Sequence, residues 1–233
     1  MPTLLELWRR AVSPVEAFRQ RAAEAPTLGS SLATLLVLRS PLVLIELVAG
    51  YWSLHRAFVG LRGMEGEAAQ WIKLLPLSLT LEDWRMLAAD LPTLPEVSRA
   101  LPWLVFLAPV WVLGLWLHDA VWDHGCLWML GGLKGHQGLR VTLMAEAEAL
   151  TVGCLGAAVG LLGLVPLVGW VLALPLAGVA IWFWVLRGFA LAAWHRCPVW
   201  KGVVATVLHA ALAACCLGAT VGLCVLFLVA VLA

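Results

Sequence analysis

Residues 143–186 read LMAEAEALTVGCLGAAVGLLGLVPLVGWVLALPLAGVAIWFWVL, and this stretch decides the fold. It holds two apolar runs, 143–165 and 167–186, each close to the ~20 helical residues that cross a hydrocarbon layer about 30 Å thick. Pro166 stands between them; its missing N–H and fixed φ stop one helix and start the next, so the spacing predicts a tight helical hairpin. Working outward, three further runs occur at 32–58, 101–119 and 203–233. Hydrophobic residues make up 63% of the chain and charged residues 12%, an excess that a water-soluble core cannot absorb. The fold class is therefore all-α, a polytopic membrane bundle of five transmembrane helices.

An amphipathic arm, residues 1–30, precedes the bundle of residues 31–233. Leu4, Leu7, Trp8, Ala11 and Val12 recur at helical spacing with Arg9 and Arg10 off that stripe, and Ser13-Pro14-Val15-Glu16 reads as a capping box opening a second short helix to about Ala25. Such helices suit either a bilayer surface or the bundle's own cytoplasmic ends. Residues 60–100 form the longest polar stretch, an interfacial loop in which Thr80-Leu81-Glu82-Asp83 starts a short helix through Trp84, Leu87, Ala88 and Leu91. The first charged stretch is not followed by a short apolar core with a small-residue cleavage site, so no signal peptide is expected. Lys and Arg in the short loops favour a cytoplasmic N-terminus and an outer C-terminus, in a bacterial inner membrane. Fourteen Trp against one Tyr fit indoles at headgroup depth, among them Trp103, Trp122, Trp128, Trp170, Trp194 and Trp200. A net charge of +1 offers no basic stripe for nucleic acid.

Ionisable groups at membrane depth are expensive unless paired or wetted. Arg39, Glu46, His118, Asp119, Glu146, Glu148, Arg187 and His209 are the candidates for an intramembrane polar network, a hydrated vestibule at the cytoplasmic end with Arg39 paired to Glu146 or Glu148. The plain alternative is that each snorkels to the headgroups on its own. Glu46, midway along the first helix, must be protonated or face a partner. His118, Asp119, Asp123, His124 and Cys126 cluster metal-ligand residue types, but His118 and His124 lie six residues apart and point away from each other, so no metal site is expected. The six Cys lie mostly in apolar runs with no C-x-x-C pair, which argues against a disulfide framework or cysteine zinc site. Gly153, Gly156, Gly160 and Gly163, and Ala211, Ala214, Gly218 and Gly222, form small-residue faces that let helices approach closely, within the bundle or in a homo-oligomer. No nucleophile elbow, phosphate loop or H-E-x-x-H occurs. The expectation is a protein that is not an enzyme, with no catalytic residues and no cofactor.

His124 seven positions before Gly131-Gly132, Thr142 after that loop, the Gly163-Leu164-Val165-Pro166-Leu167-Val168-Gly169-Trp170 turn, Arg187-Gly188, His195 and Lys201-Gly202-Val203 together resemble the Yip domain family. These five-helix membrane proteins are named for binding small Ypt/Rab GTPases, and the resemblance covers roughly Trp103 to Val207. It implies a prokaryotic-type member, working by partner binding in membrane organisation or trafficking, with lipid and another membrane protein as partners. Met144 and Glu148 stand where the family has a basic and an aromatic residue, and its tyrosine-rich motifs are missing, so small-GTPase binding is not carried over. A reading of another class is a small transporter or channel using the polar vestibule.

Overall fold

The fold was obtained as a computed structural model, which describes residues 2–63, 80, 82, 85, 86, 89, 93–133 and 138–232. Two short helices, α1 (Leu4–Val12) and α2 (Pro14–Ala23), lead into α3 (Leu28–Gly63), α4 (Val97–Met129), α5 (Leu139–Gly160), a 3-10 turn (Leu161–Leu164), α6 (Pro166–Val171), α7 (Ala173–Trp194) and α8 (Val199–Leu232). No strand occurs among the described residues. Among the described residues five helical segments are long and apolar enough to cross a bilayer: Leu28–Gly60, Val97–Met129, Leu139–Leu164, Ala173–Trp194 and Val199–Leu223. The chain is an integral membrane protein built as an all-α bundle. The expected helix over Thr80 to Leu91, and Lys134 in the glycine loop, fall wholly or largely outside the described residues.

The hairpin turn is wider than its sequence suggested. A 3-10 turn, an extended Val165 and the six-residue α6 separate α5 from α7. Gly169 packs against the backbone here: a Cβ on it would lie 2.6 Å from the Gly163 carbonyl oxygen. The fourth span accordingly starts at Ala173, with Pro175 in its first turn, where a missing N–H costs nothing. It also runs past Arg187 to Trp194, and α4 runs past Asp119 to Met129. Both spans had been ended at a charge, but these charges neutralise one another inside the protein and give the helices no reason to stop.

Contacts divide the chain into two units, Met1–Glu46 with Val105–Ala213, and Leu47–Leu104 with Ala214–Ala233. In the second unit Tyr51 Oη donates to the Pro95 carbonyl at 2.7 Å, and the Arg56 guanidinium lies 4.9 Å above the Trp52 ring. The first unit holds the arm and every residue of the polar clusters described below. Thr3 and Glu6 cap α1 reciprocally, which orients it so that Leu7 and Ala11, with Phe18 of α2, pack on Ala145, Ala149 and Val152 of α5 and Leu186, Ala190 and Leu191 of α7. Trp182 Nε1 donates to the Ala11 carbonyl at 3.0 Å. The arm thus docks on the bundle through one face, while Leu4, Leu5, Trp8 and Val12 stay exposed on the other.

At Gly188 and Gly202, α7 and α8 approach backbone to backbone. A Cβ on Gly188 would lie 2.5 Å from Val203 Cα, and one on Gly202 would collide with the Gly188 carbonyl oxygen. Gly156 faces the Phe183 ring, and a Cβ on Gly163 would lie 3.6 Å from Leu176. Among the described residues nothing lies within 4 Å of a Cβ placed on Gly153, Gly160, Gly218 or Gly222. Among the described residues, the small-residue spacing of α5 therefore contributes one tight contact, at Gly156, and Gly218 and Gly222 of α8 contribute none. The spacing within one helix does not reveal this seam, because its two glycines lie on different helices, 14 residues apart.

Candidate functional site

One arginine organises the centre of the first unit. Arg187 of α7 donates from Nε to Glu146 Oε2 at 2.9 Å and from Nη2 to Asp123 Oδ2 at 2.8 Å, and its Nη1 lies 3.1 Å from Asp119 Oδ2. The three acceptors come from two helices: Asp119 and Asp123 share a face of α4 at i, i+4, and Glu146 lies two turns into α5. The Trp184 ring, one turn before Arg187, lies 4.7 Å from the guanidinium carbon. Asp123 continues the network to α8, accepting at Oδ1 from His209 Nδ1 at 2.8 Å. The His209 ring is stacked on Trp122 (centroids 5.9 Å apart, planes 7° apart), and His118 lies beside it at 5.4 Å. Arg187, Asp123, Glu146 and His209 are all buried. A planar fork with separately directed N–H groups suits this task; a lysine would place one point charge there.

A second polar chain lies toward the end of α7. Thr142 Oγ1 is 2.7 Å from His124 Nδ1 and 2.9 Å from His195 Nε2. A hydroxyl has one proton, so it donates to one ring and accepts from the other. His195 Nδ1 is buried with no partner; a bare lone pair costs less there than an orphaned N–H, so His195 carries its proton on Nε2 and the chain runs His195 to Thr142 to His124. His195 caps α7, and Arg196 follows with φ +49°, the left-handed residue of a Schellman turn in which Cys197 N–H bonds the Ala192 carbonyl and Arg196 N–H that of Ala193.

Burial, and the neighbouring His124, push the His195 pKa down to about 4. The folded state then binds fewer protons than the unfolded state between about pH 4 and the ordinary histidine value. Its contribution to stability is complete above that value and is lost as pH falls toward 4. We expect about 2 kcal/mol of destabilisation from this residue by pH 5, read as a fall in melting temperature in detergent that is smaller in His195→Asn.

Glu148, one turn-half beyond Glu146, serves the arm. Its Oε2 accepts from Arg10 Nη1 at 2.9 Å and Arg21 Nε at 3.0 Å, and its Oε1 accepts from Arg21 Nη2 at 3.0 Å and Ser31 Oγ at 2.6 Å. Hydrogen bonds to ionised groups contribute about 1.5–3 kcal/mol each when buried, and this cluster is partly open. Glu148→Gln is expected to loosen the arm and to speed tryptic cleavage at Arg10 and Arg21 on the order of tenfold, measured by limited proteolysis in detergent.

Of the eight polar candidates, the structure brings Asp119, Glu146, Arg187 and His209 into one cluster, with His118 at its exposed rim 3.2 Å from Asp119. Asp123, which the sequence offers only as a metal-ligand residue type, belongs at its centre. Arg39 meets neither Glu146 nor Glu148; its Nη2 lies 3.4 Å from Glu46 Oε1, an i, i+7 neighbour on its own helix. The expected pairing failed because Arg187 and the arm's arginines are nearer to those carboxylates. His124 turns to Thr142, and Cys126 packs with Leu127 and Ala205, so neither joins a metal-ligand group with Asp119. Pro166 and Gly169 shape the hairpin turn. Gly131 has φ +60°, which favours glycine, and a Cβ on Gly132 would collide with Leu127.

A cavity of about 410 Å³ opens against the cluster. Arg39, Asp119 and Arg187 form its polar wall, and Gly153, Gly156 and Phe183 are part of its apolar wall.

Comparison of the chain with protein-family models, with curated proteins and with solved structures yields no match.

Proposed function

We propose that this chain is a Yip-type integral membrane protein of bacterial kind, non-enzymatic, acting in membrane organisation or trafficking through partner contacts, with its N-terminus cytoplasmic and its C-terminus outside. The observation that carries the reading is the junction of His124, Thr142 and His195: three residues of the family-like pattern, spread over 72 positions of sequence, meet through one hydroxyl. The arm supports the partner role. It is held by Glu148 and the α5–α7 surface, yet presents Leu4, Leu5, Trp8 and Val12 outward, a face suited to a membrane surface and to a protein docked there. A photo-crosslinker at Trp8 in intact bacteria should give a discrete protein adduct that disappears in a Leu4→Asp, Val12→Asp double variant. Adducts to lipid alone would sink the partner role.

The cavity favours a second reading, a small transporter or channel. Arg39, Asp119 and Arg187 at the wall of a 410 Å³ space could meet an ion or polar solute. In sealed liposomes, pH-dependent flux abolished by Glu46→Gln or Asp119→Asn would favour transport. Silence across a broad solute panel favours the binding role.

A further inference from the structure

His209 is held in a particular way. Its Nδ1 faces Asp123 Oδ1 at 2.8 Å, so the neutral ring keeps its proton there and leaves Nε2 as a bare lone pair. Stacking on Trp122 fixes the ring plane. A carboxylate that takes the far N–H of an imidazole is the usual second support of a metal-ligating histidine. Beside it, one ligand atom from each of His118, Asp119 and His209 lies within 4.8 Å of the others. Asp119 gives Oδ2 to Arg187 and turns Oδ1 toward His118 Nδ1, 3.2 Å away. Of the three side chains only His118 is largely exposed (52%), and a turn of its ring is the motion needed to bring ligands to the ~2.0–2.2 Å bonds of a metal ion.

Charge points the same way. Arg187 is shared among Asp119, Asp123 and Glu146, so its one positive charge is not given to Asp119 alone, and the carboxylate at the rim suits a cation beside it rather than an anion.

We propose that His118, Asp119 and His209 bind a divalent first-row transition-metal ion of the Zn²⁺ or Co²⁺ kind, with Asp123 as the positioning residue that orients His209. Two imidazoles and one carboxylate are borderline ligands that suit these ions and discriminate against Mg²⁺ and Ca²⁺, which prefer all-oxygen sites. Three protein ligands leave a coordination position for water. The site lies at the rim of the buried cluster, where His118 gives access.

The protein, purified in detergent without a polyhistidine tag and stripped with chelator, should bind one equivalent of Zn²⁺ in equilibrium dialysis. Co²⁺ in its place should give visible d–d absorption without a thiolate charge-transfer band. His118→Ala, at an exposed position, should weaken binding at least tenfold while eluting as a monodisperse species at the wild-type volume, and His55→Ala should bind as wild type does. Asp123→Asn should weaken binding about 10–100-fold if it retains the fold. No stoichiometric binding, binding unchanged in His118→Ala, or a thiolate band would each overturn the proposal.

Discussion

Arg187→Met is expected to cost about 3–5 kcal/mol, enough to prevent accumulation of the folded protein in the membrane. The magnitude comes from what remains. Methionine fills much of the same volume, but Asp119, Asp123 and Glu146 lose their shared cation, and three carboxylates are left together at a depth where even one is costly. Arg187→Lys should lie between the two, because an ammonium cannot match three separately placed acceptors. The decisive comparison is Arg187→Met combined with Asp119→Asn, Asp123→Asn and Glu146→Gln. Removing charge on both sides should restore part of the yield and melting temperature lost in the single variant. If the single variant folds and melts like wild type, the cluster is not the electrostatic centre of the bundle.

Gly202→Ala is expected to be nearly as damaging, at about 3 kcal/mol, toward the upper end of overpacking costs. The added methyl would meet the Gly188 carbonyl oxygen on one side and come within 3.0 Å of the Ala192 nitrogen on the other. Backbone cannot rotate aside as a side chain can, so α7 and α8 would have to separate along the crossing. Gly188→Ala should behave alike. Gly218→Ala, with open space around it among the described residues, should gain up to about 1 kcal/mol from helix propensity. Heating each variant in detergent before size-exclusion chromatography orders the three. Equal melting of Gly202→Ala and Gly218→Ala would remove the crossing as a determinant of stability.

The five spans were legible because twenty-residue apolar runs have no other stable place. Their ends were less so. Hydropathy treats Asp119 and Arg187 as exits from lipid, whereas each is the other's reason to stay inside, and no one-dimensional reading links positions 68 residues apart. The same limit sends Arg39 to the wrong carboxylates: Arg10, Arg21 and Arg187 compete with it for Glu146 and Glu148, and only packing ranks the four. Asp123 could have been recognised, since its i, i+4 relation to Asp119 put two acids on the face that meets Arg187. His209 is a network candidate by its depth alone, since a lone histidine in an apolar run shows neither its anchor nor its neighbours. The Gly188–Gly202 crossing was hidden because the usual spacing rule searches within one helix, while a close approach needs only one small residue from each.

The clasp on the arm also sets an order of events during synthesis. Arg21 and its acceptor Glu148 are separated by 127 residues, so at ordinary elongation rates roughly ten seconds pass between the ribosome's placing one and placing the other. Throughout that interval the first two helices have no berth on the nascent bundle, and their greasy side must be sheltered by the bilayer or by a chaperone until the third span is delivered.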